Sequence, residues 1–242
     1  MAGTFANDGA NTNPPLLHQG NPQNGENEGA ASETVTRTGF GTKTWRDGSK
    51  YEGEWLDGKM TGFGRMRWAD GRIYMGEWQD NRCEGRGLLT YKDGRRYEGE
   101  YKCDKMHGKG VYEWSEGARY VGDYFEHKKH GRGIMIWKTG GRYEGEYVND
   151  KMTGYGLMTW ADGRRYEGYW LEGRCTGRGT TTFKSGSKYE GEYFRDKMDG
   201  HGFYYFADGR RYEGRYQSNQ KHGRGVYMWT DGLIFAGEWN KG

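Results

Sequence analysis

The chain is predicted to be all-β, an elongated single-layer antiparallel sheet of tandem 23-residue β-hairpin repeats. Three observations carry this. Residues 51–73, YEGEWLDGKMTGFGRMRWADGRI, restart in the same frame at Tyr74, Tyr97, Tyr120, Tyr143, Tyr166, Tyr189 and Tyr212, with a partial copy from Phe235 and no insertion or deletion between copies. Within each copy, rings and glycines alternate with charged residues, the period of two that marks a half-exposed strand. Pro14, Pro15 and Pro22 are the only prolines, so nothing after them interrupts a backbone ladder.

In order, residues 1–37 form an Asn/Gly-rich tail, poor in rings, that is expected to be disordered because it cannot bury enough apolar surface to offset its ordering entropy. Residues 38–242 form the array: a half repeat (38–50), eight repeats (51–234) and a partial repeat (235–242). The net charge of +3 divides unevenly. Asp8, Glu26, Glu28 and Glu33 outweigh Arg37 in the tail, leaving the array mildly basic and short of what a dedicated nucleic-acid binder carries. A third of the chain is hydrophobic while aromatics reach 16% and glycines number 45, which suits a thin sheet stiffened by flat rings rather than a globular aliphatic core.

Within a unit, the first strand is expected over Tyr51–Trp55, with Tyr51, Gly53 and Trp55 on one face and Glu52 and Glu54 on the other. The second is expected over Gly62–Trp68, and Leu56–Thr61 between them as a polar loop. Parity decides the turn into the next unit. A two-residue Asp-Gly loop would scatter the rings over both faces. A three-residue loop, Ala69-Asp70-Gly71 with Gly71 left-handed, sets Tyr74 opposite Met66, Gly76 opposite Gly64 and Trp78 opposite Gly62, collecting the rings on one side. That register is the expected one.

The columns then repeat. The first position is tyrosine in all eight full units, the fifth runs Trp55, Trp78, Tyr101, Tyr124 and onward, and the eighteenth runs Trp68, Tyr91, Trp114, Trp137, Trp160 and onward. Glycine fills the third, twelfth, fourteenth and twenty-first positions. These units resemble MORN repeats (membrane occupation and recognition nexus), whose signature is Y-x-G-x-W…G-x-G…G, over residues 39–242. The resemblance implies one hairpin per repeat and a scaffold of the ciliary, radial-spoke or cytoskeletal kind. The kinase and methyltransferase domains that accompany some members have no room here.

The repeated G-x-G pairs, such as Gly62/Gly64, are not phosphate loops, because strand follows strand where a dinucleotide fingerprint needs a helix N-terminus. His107, His130 and His222 share a column but lie in non-adjacent units, so no metal site is expected. Three cysteines do not make a disulfide framework, and Cys83 and Cys175, four units apart, stand roughly 38 Å from each other at about 4.8 Å per strand. No arrangement suggests nucleophilic or acid–base catalysis, so no enzyme and no cofactor is expected. No stretch reaches the ~18 apolar residues of a membrane span, and neither a secretory signal nor a myristoylation site opens the chain, which points to the cytoplasm.

The reading is a non-enzymatic scaffold that binds a protein partner, a helix or extended segment, along an aromatic furrow. Its contacts are expected at Tyr97, Tyr101, Trp114, Tyr120, Tyr124, Trp137, Tyr143 and Trp160, because a single-layer sheet has nothing above its rings and exposed ring patches attract partners. The complementary half repeats at the two ends suggest head-to-tail self-association. The alternative is attachment to anionic phospholipids through a basic column, Arg96, Arg119, Arg142, Arg165, Lys188 and Arg211, whose interleaved acids argue instead for a solvated face.

Overall fold

The computed structural model describes residues 37–242, so the expected tail lies outside the described residues except for Arg37. The described residues fall into two compact units, one ending at His130 and one running from Gly131 to Gly242. They contain eighteen strands and no helix.

The first unit holds β1 (Gly39–Thr44), β2 (Lys50–Leu56), β3 (Lys59–Arg67), β4 (Ile73–Gln79), β5 (Arg82–Thr90), β6 (Arg96–Lys102), β7 (Lys105–Glu113), β8 (Arg119–Phe125) and the start of β9 (Lys128–Ile136). The second holds the rest of β9 with β10 (Arg142–Val148), β11 (Lys151–Thr159), β12 (Arg165–Leu171), β13 (Arg174–Thr182), β14 (Lys188–Phe194), β15 (Lys197–Tyr205), β16 (Arg211–Gln217), β17 (Gln220–Met228) and β18 (Ile234–Asn240). In each unit successive strands pair antiparallel, as the hairpin repeats predict.

The turn between repeats has the expected register. Met66 faces Tyr74, Gly64 faces Gly76 and Gly62 faces Trp78. The Gly71 N–H donates to the Trp68 carbonyl (3.0 Å), the Trp68 N–H donates to the Arg72 carbonyl (2.9 Å), and Gly71 stands at φ +92°. This is the three-residue loop with a left-handed glycine.

The hairpin inside each repeat differs from expectation. Leu56–Thr61 is no loop: β2 and β3 run to a two-residue turn, Asp57-Gly58, with both φ values positive (49° and 74°) as a type I′ turn requires. The slack is taken up inside β3. Gly53 faces Gly64 but Glu54 faces Thr61, so Gly62 and Phe63 form a bulge, with Gly62 at φ +56°. The Phe63 N–H, freed by the bulge, donates to Glu54 Oε1 (3.0 Å). Glu77 closes the next bulge on the Arg86 N–H (2.9 Å), Glu100 on Lys109 (3.1 Å) and Glu192 on His201 (3.2 Å). The acidic column is thus a set of lids over the bulges as well as surface charge.

The type I′ turns also tie each repeat to the one before. Asn81 accepts from the Met60 N–H (2.8 Å), Asp104 from Cys83 (2.8 Å), Asp196 from Cys175 (2.8 Å) and Asn219 from Met198 (2.8 Å), through side-chain oxygens in each case. The backbone N–H groups of the same four residues donate back to the carbonyls of Met60, Cys83, Cys175 and Met198. Residues at φ near 70° must tolerate the left-handed region, which favours Asn and Asp over other side chains. Asn219→Ala is therefore expected to cost about 1–2 kcal/mol, from the lost bond and the strained φ. Asn219→Gly, which relieves the strain, costs less. Urea unfolding of the two variants checks the order.

The core lies on the ring face. Each first-position tyrosine lies over paired glycines: a Cβ on Gly99 or Gly110 would collide with the Tyr97 ring and hydroxyl. The hydroxyl donates to the carbonyl three residues on, Tyr97 to Glu100 (3.0 Å) and Tyr143 to Glu146 (3.2 Å). Two more rings close on it edgewise, Tyr101 at 5.2 Å and Tyr124 at 5.1 Å from Tyr97, and the pattern recurs at Tyr51 with Trp55 and Trp78. Such contacts contribute about 0.5–1.5 kcal/mol each beyond the area they bury. The indoles of Trp78 and Trp170 also donate to the Gly64 and Gly156 carbonyls (3.2 and 3.3 Å).

A candidate partner-binding face

The ring face does not offer the surface expected of it. Tyr97, Tyr101, Tyr120, Tyr124 and Tyr143 are at most 4% exposed and Trp114 is 7% exposed; Trp137 and Trp160 are half-buried. A one-layer sheet hides its own rings here because the paired glycines have no side chains. Each tyrosine drops into that space, and its neighbours cover it. The glycine columns are seats for rings. Burial pushes the tyrosine hydroxyls of this column up, those of Tyr51, Tyr74, Tyr97 and Tyr143 far above the ordinary value. Cys83 and Cys175, buried among them, are pushed up likewise.

Four members of the basic column are matched by acids. Arg96 and Arg119 both reach Glu113 (2.8 and 3.2 Å), Arg142 pairs with Glu144 (2.5 Å) and Lys188 with Glu190. In the intra-repeat turns Lys59 pairs with Asp80 (2.8 Å) and Lys105 with Glu126 (2.8 Å). Arg165 and Arg211 stand at the same strand position as these column members. An anionic lipid surface would have to compete with these partners. Among the described residues no cluster of His, Cys, Asp or Glu is placed to hold a metal ion.

The opposite, outer face carries exposed apolar side chains in both units. One column holds Leu56 and Phe125 in the first unit and Val148, Leu171 and Phe194 in the second, each with roughly half or more of its surface in water. Two residues before Leu171, on the same face, stands Tyr169 (52% exposed), whose cross-strand partner is Tyr155 (49% exposed). Their rings meet edgewise at 5.5 Å. At other repeats this cross-strand position pairs opposite charges, Lys109 with Asp123 and Arg178 with Glu192, sets a ring against an acid, Phe63 with Glu77, or sets His201 against Arg215.

The change at Tyr169 has a structural consequence. Over Gly62, Gly85, Gly108, Gly154 and Gly200 a carboxylate lid fills the space where a Cβ would project. Over Gly177 the lid residue is Tyr169 and the nearest atom to that space is its own Cβ at 3.7 Å; over Gly223 it is Arg215, whose nearest atom also stands at 3.7 Å. Beside the two rings lies a cleft of about 570 Å³, lined by Tyr155, Tyr169, Phe203, Arg178 and His201 with Glu167, Glu190 and Glu192. The Tyr155 hydroxyl donates to Glu167 Oε1 (3.1 Å). Of these residues the column analysis singled out only Glu192, as one of the interleaved acids, although the signal was present: Tyr169 is a ring in a column made mostly of acids.

An all-β array of tandem hairpins is the architecture of a repeat protein. The MORN-repeat profile matches residues 36–50, 51–71, 74–95, 97–119, 120–142, 143–164, 166–188, 189–210 and 212–234, and the chain belongs to the MORN-repeat family. Comparison with curated proteins finds no match. Among solved structures, it is similar to the TCP domain of Drosophila melanogaster SAS-4 (dCPAP), solved in complex with a proline-rich motif of Ana2 (dSTIL). Identity is 8%, coverage 89% of this chain and 98% of that one, and the TM-score 0.38. A mutant TCP10 domain of Danio rerio CPAP matches at 14% identity, covering 82% and 99%, with a TM-score of 0.42. Virginiamycin B lyase of Staphylococcus aureus matches at 11%, covering 82% and 69%, with a TM-score of 0.17. Likenesses this low say nothing about what this chain binds.

Proposed function

We propose that the chain is a non-enzymatic scaffold that holds a segment of a partner protein on the outer face of its second unit, in a cytoskeletal or ciliary assembly. The observation that carries the reading is the run of exposed large side chains, Val148, Tyr155, Tyr169, Leu171, Phe194 and Phe203, on one face of consecutive hairpins. Isolated apolar side chains on a surface are ordinary; a contiguous set of this size marks an interaction site. The ciliary or cytoskeletal setting rests on the kind of scaffold that the family resemblance suggests.

The test is site-specific photocrosslinking in the native cell. A crosslinker at position 171 or 194 is expected to capture a defined partner, and one at position 97 to capture none, because Tyr97 is sealed inside the ring column. The double change Tyr169→Ser and Leu171→Ser is expected to weaken the partner's binding about thirtyfold or more, the effect of removing central contacts worth roughly 2 kcal/mol. The melting temperature stays within a few degrees, since both side chains are exposed. Capture from position 97 with none from 171 would return the binding site to the ring face.

A further inference from the structure

Resting on that reading, the geometry points to a socket for a basic side chain: the cleft across β11–β15 receives an arginine or lysine of the partner segment. The argument starts from a coordinated break in the repeat. Tyr155 and Tyr169 are direct cross-strand partners, and both depart from the charged residues that the neighbouring pairs use. One tyrosine alone would add a ring to the surface. The pair sets two open rings on the wall of the cleft, where the neighbouring pair is Arg178 with Glu192.

What surrounds the rings sets the sign of the ligand. Glu167, Glu190 and Glu192 line the cleft against the single guanidinium of Arg178, which stands opposite Glu192 in register. Glu192 closes its bulge on the His201 N–H and Glu190 is paired with Lys188, but a carboxylate has about four acceptor positions and neither is filled by one partner. Glu167 holds the Tyr155 hydroxyl, and so fixes one wall of the cleft. A cation entering here meets ring faces that attract positive charge and acceptors at the floor. Its aliphatic stem lies against Phe203 at the wall of the cleft. A volume of about 570 Å³ is ample for one such side chain with part of the backbone that carries it. The same carboxylates repel an anionic lipid headgroup.

The probe is the peptide acetyl-Gly-Arg-Gly-Arg-Gly-amide, titrated into the isotope-labelled full chain and followed by backbone amide shifts. Its counterpart with both arginines replaced by glutamine is the control. Saturable shifts confined to β11–β15 are expected with the first peptide and none with the second. Glu167→Gln with Glu190→Gln is expected to weaken the response about tenfold, as is Tyr169→Ser. Neither residue closes a bulge, so the amide spectrum elsewhere should stay unchanged. Shifts spread over acidic residues of both units, an equal response in the glutamine variants, or no shift at millimolar peptide would overturn the proposal. So would vesicles of phosphatidylserine producing the same shifts. If the peptide fails while Tyr169→Ser with Leu171→Ser still releases the crosslinked partner, the basic socket falls and the scaffold reading stands. If both fail, the outer face is not the docking surface.

Discussion

Gly110→Ala is expected to cost about 3–5 kcal/mol, far more than an alanine normally costs in a strand. The backbone conformation at Gly110 is ordinary, so the penalty is steric. The new methyl would collide with the Tyr97 hydroxyl and ring edge, and that ring is held from three sides. Its hydroxyl is bonded to the Glu100 carbonyl, and Tyr101 and Tyr124 press on its faces and edges. A double-mutant cycle makes the claim specific. Tyr97→Ala alone removes a fully buried ring and should cost about 3–5 kcal/mol. With the ring gone the methyl has room, so Tyr97→Ala with Gly110→Ala should cost little more than Tyr97→Ala. The two sites then show a large coupling. Gly117→Ala is the control: Gly117 has φ +97° and nothing near its Cβ position, and should lose only about 1–2 kcal/mol to backbone strain. Denaturant unfolding of the four variants checks all of this. Additive costs at 97 and 110 would mean that the glycine columns are not ring seats.

That seat explains which features could be read from the residues and which could not. The register between repeats was legible because the ring columns would otherwise scatter over two faces, and only the three-residue loop ending in Gly71 avoids it. The turn inside the repeat was not. Asp57-Gly58 carries a type I′ signal, but the same two positions are Cys103-Asp104 and Glu126-His127 in later repeats, and no parity argument reveals a bulge of two residues. Burial was misjudged for a related reason. Alternation tells which face a ring lies on but not how far it tilts, and these tyrosines lie down over glycine pairs rather than standing up. A face that carries most of the rings is therefore the closed one. The face that reads as charged contains the cleft, beside the cross-strand pair Tyr155–Tyr169 that stands on it. In a chain this regular, function is better sought in the exceptions to a column than in the column.

The ring column should also make the protein unusually sensitive to alkali. In the first unit, burial raises the hydroxyls of Tyr51, Tyr74, Tyr91, Tyr97 and Tyr101, and pushes Tyr112 up to about 12. In the second it raises Tyr143, Tyr166, Tyr189, Tyr193, Tyr212 and Tyr216. Burial is the largest cause in every case, since it penalises the phenolate. The folded values lie above the ordinary 10.0, so this contribution to stability is whole below pH 10 and is lost as pH rises from there through the folded values. Each tyrosine that stays protonated when folded and ionises when unfolded removes about 1.4 kcal/mol per pH unit. A unit that opens with six of them loses about 8 kcal/mol per pH unit, enough to exhaust an ordinary stability within one or two units above pH 10. The Lys59–Asp80 ion pair is exposed and weighs little beside this. Tyrosinate absorbance and the far-ultraviolet signal, followed together from pH 9 to 12, distinguish the cases. The expected result is a lag in tyrosinate formation followed by a steep rise coincident with loss of strand signal, shallower by about 1.4 kcal/mol per pH unit in Tyr97→Phe. Smooth ionisation near pH 10 with the strands intact would show that the rings are open to water, and with it the whole account of the ring face as core would fail.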